Sequence, residues 1–458
     1  MPLVLAWLVL FLFRPAPVHA QEPAVPEPTW LDDHAIQLLS IHPEYAGNDD
    51  LDRVVQAIGH KRIVVLAERG PGDGASLLAK TRLCRRLIKS EGFSVILFEA
   101  GFYDCRAMNA QFAAGTDYSM CASLGLPDHW AMSGYLSPLY REIWTSYFRK
   151  QPVDVAGFDH RATGRRTARQ LPRELLDYLG SIEPHPFDKE QRRHLLTVLE
   201  RLDEAVKAQD DAAVVRAWED LNRLSRALET HAEALIAATS PIEHAIWTRI
   251  VDDQIENSRA QMAFQPPTGS LADDNRRQAR MGERMPWLAG QVYPDRKIIV
   301  WCSSLTALAD AGDVRLDVDQ ERFEGFTPAG AKWRQALGEQ MYVIGFDAAQ
   351  GRAARLRQEP LPELSAQPGS LEQAIGRMDR PFLFVPLHDL EGSGLDRAMP
   401  GNLICVDELL PDQAGSMRAH TATARWSDHF DAVFFIRTMF PNSFDKPPGG
   451  AVHTIDTE

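Results

Sequence analysis

The stretch IVVLAERGPGDG, residues 63–74, decides the fold. Four β-branched or aliphatic residues run straight into a small residue, an acid and a glycine-rich turn. A short, wholly apolar run of this kind fits a strand buried on both faces of a sheet. After the turn, Leu77, Leu78, Thr81, Cys84, Arg85 and Ile88 recur at helical spacing, and Gly92 stops the helix. Strand, glycine turn and helix together make one βα unit.

The same pattern repeats outward. Apolar runs at Val95–Phe98, Val153–Phe158, Ile298–Trp301, Tyr342–Phe346, Phe382–Leu387 and Ala432–Ile436 join Ile63–Leu66 as expected strands. Helical patterns separate them, which predicts an α/β fold with a mainly parallel sheet flanked by helices. Between 165 and 265 the strands stop. Leu195, Val198, Leu199, Leu202, Ala205 and Val206 keep helical spacing, as do Val214, Trp218, Leu221, Ser225 and Leu228. This reads as an all-helical insertion, with FQPPTGSLA at 264–272 as its exit loop. Residues 46–164 and 266–458 are then two α/β parts of one domain.

The chain has 458 residues and a formal charge of −14. Its length and 45% hydrophobic content fit a large folded domain rather than a disordered or disulfide-stapled chain. An acidic balance argues against nucleic acid as the partner and against anionic membrane surfaces. Residues 3–13, LVLAWLVLFLF, span about 16 Å as a helix, roughly half a bilayer core. Val18 and Ala20 follow at the small-residue positions of a cleavage site, so residues 1–20 read as a secretory signal peptide cleaved after Ala20. An uncleaved anchor is the alternative. Cleavage leaves a charge of −15, a Pro-rich extended leader over 21–45, and a secreted or periplasmic protein with no stable membrane insertion. Of five cysteines, Cys105 and Cys121 are close enough in sequence to form a disulfide in that compartment, or all five are buried thiols.

Three acids sit at expected strand ends: Glu68, Glu99 and Asp159. Ligands of parallel sheets bind beyond the C-terminal ends of the strands, so these carboxylates are placed for a shared site. Two facing one cleft would form an acid/base pair through mutual repulsion. With Asp73 they offer oxygen ligands to a hard cation, although we expect neither metal nor cofactor. Singly, each would cap a helix or pair with an arginine. Ser303 and Ser304 after the expected strand Ile298–Trp301 offer a nucleophile without an adjacent base, and Cys302 reads as a buried strand residue.

VVLAERGPGDG, then RLCRRLIKSEGF and ILFEAGF, resemble the erythromycin esterase-like proteins. VDVAGFD at 153–159, RMGERMPWL at 280–288, RKIIVW at 296–301, LGEQMYVIGFDAAQG at 337–351, SLEQAIGRM at 370–378 and FDAVFFIR at 430–437 continue the resemblance in order. It implies that Glu68 and Glu99 match the family's two glutamates and that Lys80 stands where the family has an arginine. It also implies that Pro71 replaces a histidine base, and that Ser303-Ser304-Leu305-Thr306 replaces a His-Asn-x-His segment. Ala75 stands where a further acid often sits. A proline takes no proton, so the resemblance points to a catalytically degenerate binding protein or pseudoenzyme holding a small molecule through Arg69, Asp73, Lys80, Asp159, His160 and Ser303. The alternative is a divergent carboxylic-ester hydrolase working on Glu68 and Glu99, with Lys80 or Arg69 stabilising an oxyanion. A third reading, a structural envelope protein, predicts a cleft plugged by side chains.

Overall fold

A computed structural model describes residues 28–47, 49–163, 167–262, 270–316, 323–352, 363–405 and 421–443. The signal peptide, the first part of the leader and the body of the exit loop lie outside the described residues. Twelve strands are seen: β1 (Ile36–Gln37), β2 (Ile63–Glu68), β3 (Phe93–Gly101), β4 (Asp154–Asp159), β5 (Lys297–Ser303), β6 (Arg315–Leu316), β7 (Met341–Arg352), β8 (Glu363–Ser365), β9 (Phe382–Pro386), β10 (Met399–Gly401), β11 (Ala422–Ala424) and β12 (Ala432–Met439). The main sheet runs β1-β9-β12-β7-β2-β5-β3-β4, with β8 attached to β7. The six strands from β12 to β4 are parallel; β9 and β1 complete the edge antiparallel. β10, β11 and β6 form a small separate sheet.

All seven sequence-read runs are strands of the main sheet. Their alternation divides the core in two. Ile63, Val65, Val95, Leu97, Ile298 and Val300 pack on one face. Val64, Leu66, Ile96, Phe98, Ile299 and Trp301 pack on the other. Helices Asp49–Ile58, Gly74–Ser90 and Ser137–Phe148 cover the second face. Helices Leu271–Trp287 and Ala329–Leu337 and the long helical segment cover the first. A mainly parallel sheet between two helical layers is the result, and burial on both faces explains why its strands carry no polar alternation.

Between β4 and β5 the chain is helical throughout its described residues. Helices Asp211–Thr230 and Pro241–Ala260 pack against each other, with Leu221, Leu224, Leu228, Ile246 and Ile250 in the buried seam. Asp188 and Gln191 form a reciprocal capping box for Lys189–Glu200. Two local readings change. The leader is not extended over its described part: Pro28–His34 is helical, and Ile36–Gln37 pairs with β9. The exit loop ends at Ser270, whose hydroxyl accepts from Asp273 N, so Leu271 already opens a helix. Cys105 and Cys121 are not joined. The Cys105 thiol lies 3.9 Å from the Gly125 carbonyl, and Cys121 donates to that of Thr116 at 3.4 Å.

One register irregularity shapes the site. β3 and β4 pair regularly through Phe98 and Gly157, then shift before Gly101. Such a bulge bends the strand and re-aims its side chains. It leaves Glu99 and Ala100 inside the irregular stretch. Gly157 makes this possible, because a Cβ there would collide with the Ala100 and Gly101 carbonyl oxygens. Gly157→Ala is therefore expected to lose about 1–3 kcal/mol of stability by overpacking against backbone. Urea unfolding of the variant checks it; an unchanged midpoint and slope would remove this account of the bulge.

Candidate functional site

At the carboxyl ends of β2, β3, β4 and β5 a cleft of about 250 Å³ opens. Glu68, Pro71, Glu99, Asp159 and Ser303 line it, with Pro127, His129, Trp130, Arg161, Thr163 and Arg277. Four of the eight site residues expected from sequence therefore meet on one wall: Glu68, Glu99, Asp159 and Ser303. The other four do not reach it.

Glu68 ends β2 and is fully buried. Its Oε2 is ion-paired with Lys80 Nζ, which approaches from helix Gly74–Ser90 behind the cleft. Lys80 also sits 4.0 Å over the Trp301 ring and 3.5 Å from the Cys302 carbonyl. Burial drives its pKa well below the ordinary lysine range. The other carboxylate oxygen of Glu68, Oε1, is buried and accepts no hydrogen bond. Such an oxygen costs about 1–3 kcal/mol of unrecovered desolvation.

Glu99 and Asp159 are bridged by one guanidinium. Arg277, on helix Leu271–Trp287, donates from Nη2 to Glu99 Oε1 at 2.8 Å and from Nε to Asp159 Oδ2 at 2.7 Å. Glu99 Oε1 also accepts from Thr306 Oγ1 at 3.0 Å, and Oε2 accepts from Ser303 N at 2.8 Å. Thr306, where the resemblance expects a histidine, thus holds Glu99 as a donor; Gln278 Nε2 steadies it at 3.1 Å. Asp159 Oδ1 accepts from Arg161 N at 3.0 Å. Burial pushes the Asp159 pKa up, but the Arg277 charge overrides it and holds the carboxyl far below its usual range. The expected acid/base pair is replaced by two clamped carboxylates.

Ser303 caps the short helix Ser304–Ala307, its Oγ accepting from Thr306 N at 3.2 Å. Ser304 Oγ donates to the Ala67 carbonyl at 2.8 Å, and burial pushes the Cys302 thiol well up. None of the three is set up as a nucleophile. Among the described residues no group of three or more histidine, cysteine or acidic side chains is placed to hold a metal ion.

Arg69, Asp73, Lys80 and His160 take other places. Lys80 lies behind Glu68. Asp73 is buried beneath the segment that follows β12, with which it forms a backbone bridge at Pro441. His160 turns away from the cleft and lines a separate hollow with Leu202, Val206, Gln254 and Asn257. Its Nδ1 lies 3.4 Å from Asp159 Oδ1. Arg69 is buried, and its charge acts on Asp347, midway along β7. Asp347 faces Glu372, both wholly buried; burial and that neighbour raise the Asp347 pKa well above the carboxylate range. Asp347 Oδ2 and Glu372 Oε2 find no donor as two carboxylates. One proton between them would make the missing hydrogen bond.

Two wall residues have no sequence motif. Arg277 lies 118 residues from Asp159 and 178 from Glu99. Its only sequence signal is the arginine-rich turn RRQAR, 276–280. His129 sits on the four-residue helix Asp128–Ala131, its ring 4.9 Å from that of Trp130. Burial lowers its pKa to about 4, so the imidazole is neutral at pH 7.

A strap ties both rims together. After β12, Gly74 N donates to Phe440 O at 2.8 Å and Asn442 N to Gly72 O at 2.7 Å. Asn442 Nδ2 donates to His129 O at 2.8 Å, while Ser133 Oγ donates to Asn442 Oδ1 at 2.6 Å. A Cβ on Gly74 would strike the Pro441 carbonyl. One asparagine therefore fixes the turn after Glu68 against the loop that carries His129 and Trp130.

A parallel sheet between helical layers, with acids gathered at its carboxyl edge, defines the class. The family model for erythromycin esterase matches residues 88–439, and the chain belongs to that family. It is 24% identical over 376 residues to a putative hydrolase, YbfO, of Bacillus subtilis, covering 78% of this chain and 80% of that one. Three solved structures share the fold. A protein from Bacillus cereus superposes with a TM-score of 0.69 at 17% identity, covering 91% of this chain and 98% of its own. A succinoglycan biosynthesis protein gives 0.65 at 14%, covering 91% and 97%. A mutant of the erythromycin esterase EreC in its open conformation gives 0.60 at 14%, covering 90% and 98%.

Two outcomes follow from this geometry. Because the folded pKa of Asp347 is raised, its contribution is complete below the unfolded value and is lost as pH rises through the folded one. Glu372→Gln keeps an acceptor for Asn402 N but removes the second charge. Wild type is expected to lose stability relative to this variant across the pH range above the ordinary carboxylate values. Parallel melting curves across that range would refute the shared proton. For the strap, Asn442→Ala should raise amide hydrogen exchange at 72–74 and 129–134 while β2, β3 and β5 keep their protection. Unchanged exchange at both rims would show that the strap positions neither.

Proposed function

We propose that this chain is a small-molecule binding protein built on the esterase cleft, with the histidine-based hydrolysis of its family lost. The observation that carries the reading is the state of Glu99. Arg277 and Thr306 fill Oε1 and the Ser303 N–H takes one lone pair of Oε2, so three donors, one of them charged, hold it as an acceptor. Pro71 and Ser303 stand on the wall where the resemblance expects histidines, and neither supplies a base. Glu68 is held by Lys80. What remains is a concave, partly apolar wall with space for a ligand, the usual setting of a binding site. Open space of this size also speaks against the plugged cleft of a structural protein.

In this proposal the protein acts outside the cytoplasm, secreted or periplasmic, after cleavage behind Ala20, and neither nucleic acid nor a membrane is its partner. Among the described residues no helix is long and apolar enough to cross a membrane.

A second reading, ester hydrolysis, is favoured by His129. A neutral imidazole shares the wall with Glu68 and has the protonation state of a base. The test is direct. Purified protein is incubated with a panel of carboxylic esters and lactones, and water addition is followed by mass spectrometry. No turnover above the protein-free blank is expected. Turnover that disappears in Glu68→Gln or His129→Ala would establish the hydrolase instead.

A further inference from the structure

We infer that the cleft's ligand is an organic ammonium ion, its N–H donors on Glu68 Oε1 and its carbon skeleton against Pro71, Pro127 and Trp130. The inference rests on the binding reading above and gives that ligand its chemical class.

The first ground is an acceptor in want of a donor. Glu68 Oε1 is buried on the cleft wall and accepts nothing from the protein. The neighbouring acids differ: each oxygen of Glu99 and of Asp159 already has a donor at 2.7–3.0 Å. Among the described residues two positions on the wall ask for a partner, the Trp130 Nε1 donor and Glu68 Oε1; the acceptor of the two is a carboxylate oxygen, and it asks for a donor.

The second ground is charge. The wall carries three carboxylates, Glu68, Glu99 and Asp159, against two guanidinium groups, Arg161 and Arg277. Arg161 is paired with Asp273 at 2.6 Å, outside this wall. Lys80, ion-paired with Glu68 from behind, offsets that carboxylate, and with Arg277 set against Glu99 and Asp159 one negative charge stays in excess. His129 adds none, since burial keeps its imidazole neutral. An anionic ligand would meet an excess of negative charge at low dielectric, while a cation would relieve it.

The third ground is the opposite side of the cleft. Pro71, Pro127 and Trp130 offer apolar and aromatic surface, suited to a hydrocarbon or aryl body beside the cation. A carboxylate acceptor at one side and an aromatic face at the other are the two parts that recognise an amine.

Benzylamine, benzyl alcohol and benzoate test the inference, because they share one ring and differ in charge. Binding to the full protein is read by ligand-observed NMR titration at neutral pH. Benzylamine is expected to bind saturably, benzyl alcohol more weakly, and benzoate at least tenfold more weakly than the amine. Added salt should weaken the amine alone. Glu68→Gln should lower benzylamine affinity at least tenfold and leave benzyl alcohol within a factor of about three. Because that variant leaves Lys80 buried without its partner, Glu68→Gln with Lys80→Met removes both charges together and should show the same selective loss. Benzoate binding as tightly as benzylamine, no saturable benzylamine binding to wild type, or equal affinity in wild type and the double variant would each overturn the inference. The outcome is separate from ester turnover, which tests the binding reading by itself.

Discussion

Burial of both faces of one parallel sheet leaves its carboxyl edge as the place where charge can gather. Every strand from β12 to β4 gives both faces to core. Each acid at a strand end must then be solvated by water or by a partner within the protein. The chain takes the second course throughout. Lys80 meets Glu68 from below, Arg277 spans Glu99 and Asp159 from above, and burial beside Glu372 raises the Asp347 pKa toward the neutral acid. The helix Leu271–Trp287 is thereby fixed over the sheet, because its arginine has two targets on adjacent strand ends. The cleft is the space these pairings leave.

In the proposed binding reading, this edge serves as a site whose acids are held in fixed pairs. A base needs an open lone pair and a proton affinity near working pH. Three donors hold Glu99, and Asp159 is held strongly ionised by Arg277. The Thr306 hydroxyl and the Ser303 backbone N–H are two of the donors on Glu99. The result is a polar surface with fixed protonation, better matched to recognising a charge than to moving one.

Much of the sheet was legible in the sequence because its signal is local. An apolar run of four to six residues with an acid behind it names both a buried strand and its exposed end, and Ile63–Glu68 is the plainest case. The same logic brought Glu68, Glu99, Asp159 and Ser303 to one wall. What escaped was set by tertiary geometry. Arg277 reaches its acids across 118 and 178 residues of chain, and nothing in RRQAR marks which arginine turns inward. His129 reaches the wall from a four-residue helix with no periodicity to read. His160, beside Asp159 in sequence, faces the opposite hollow, since successive residues at a strand end point to opposite sides. Arg69 and Asp73 belong to the glycine turn but are drawn under it, toward Asp347 and Pro441.

The strap at Phe440–Ser443 lies just past the stretch matched by the family model, which ends at residue 439. A ribosome delivers it after every strand of the sheet. Chains fold from their amino end as they emerge, so the core can consolidate while both rims still wait for Asn442. The interval between a folded sheet and a finished cleft is therefore set by the order of synthesis. The finished cleft becomes the last feature this chain acquires, and the one most exposed to early termination.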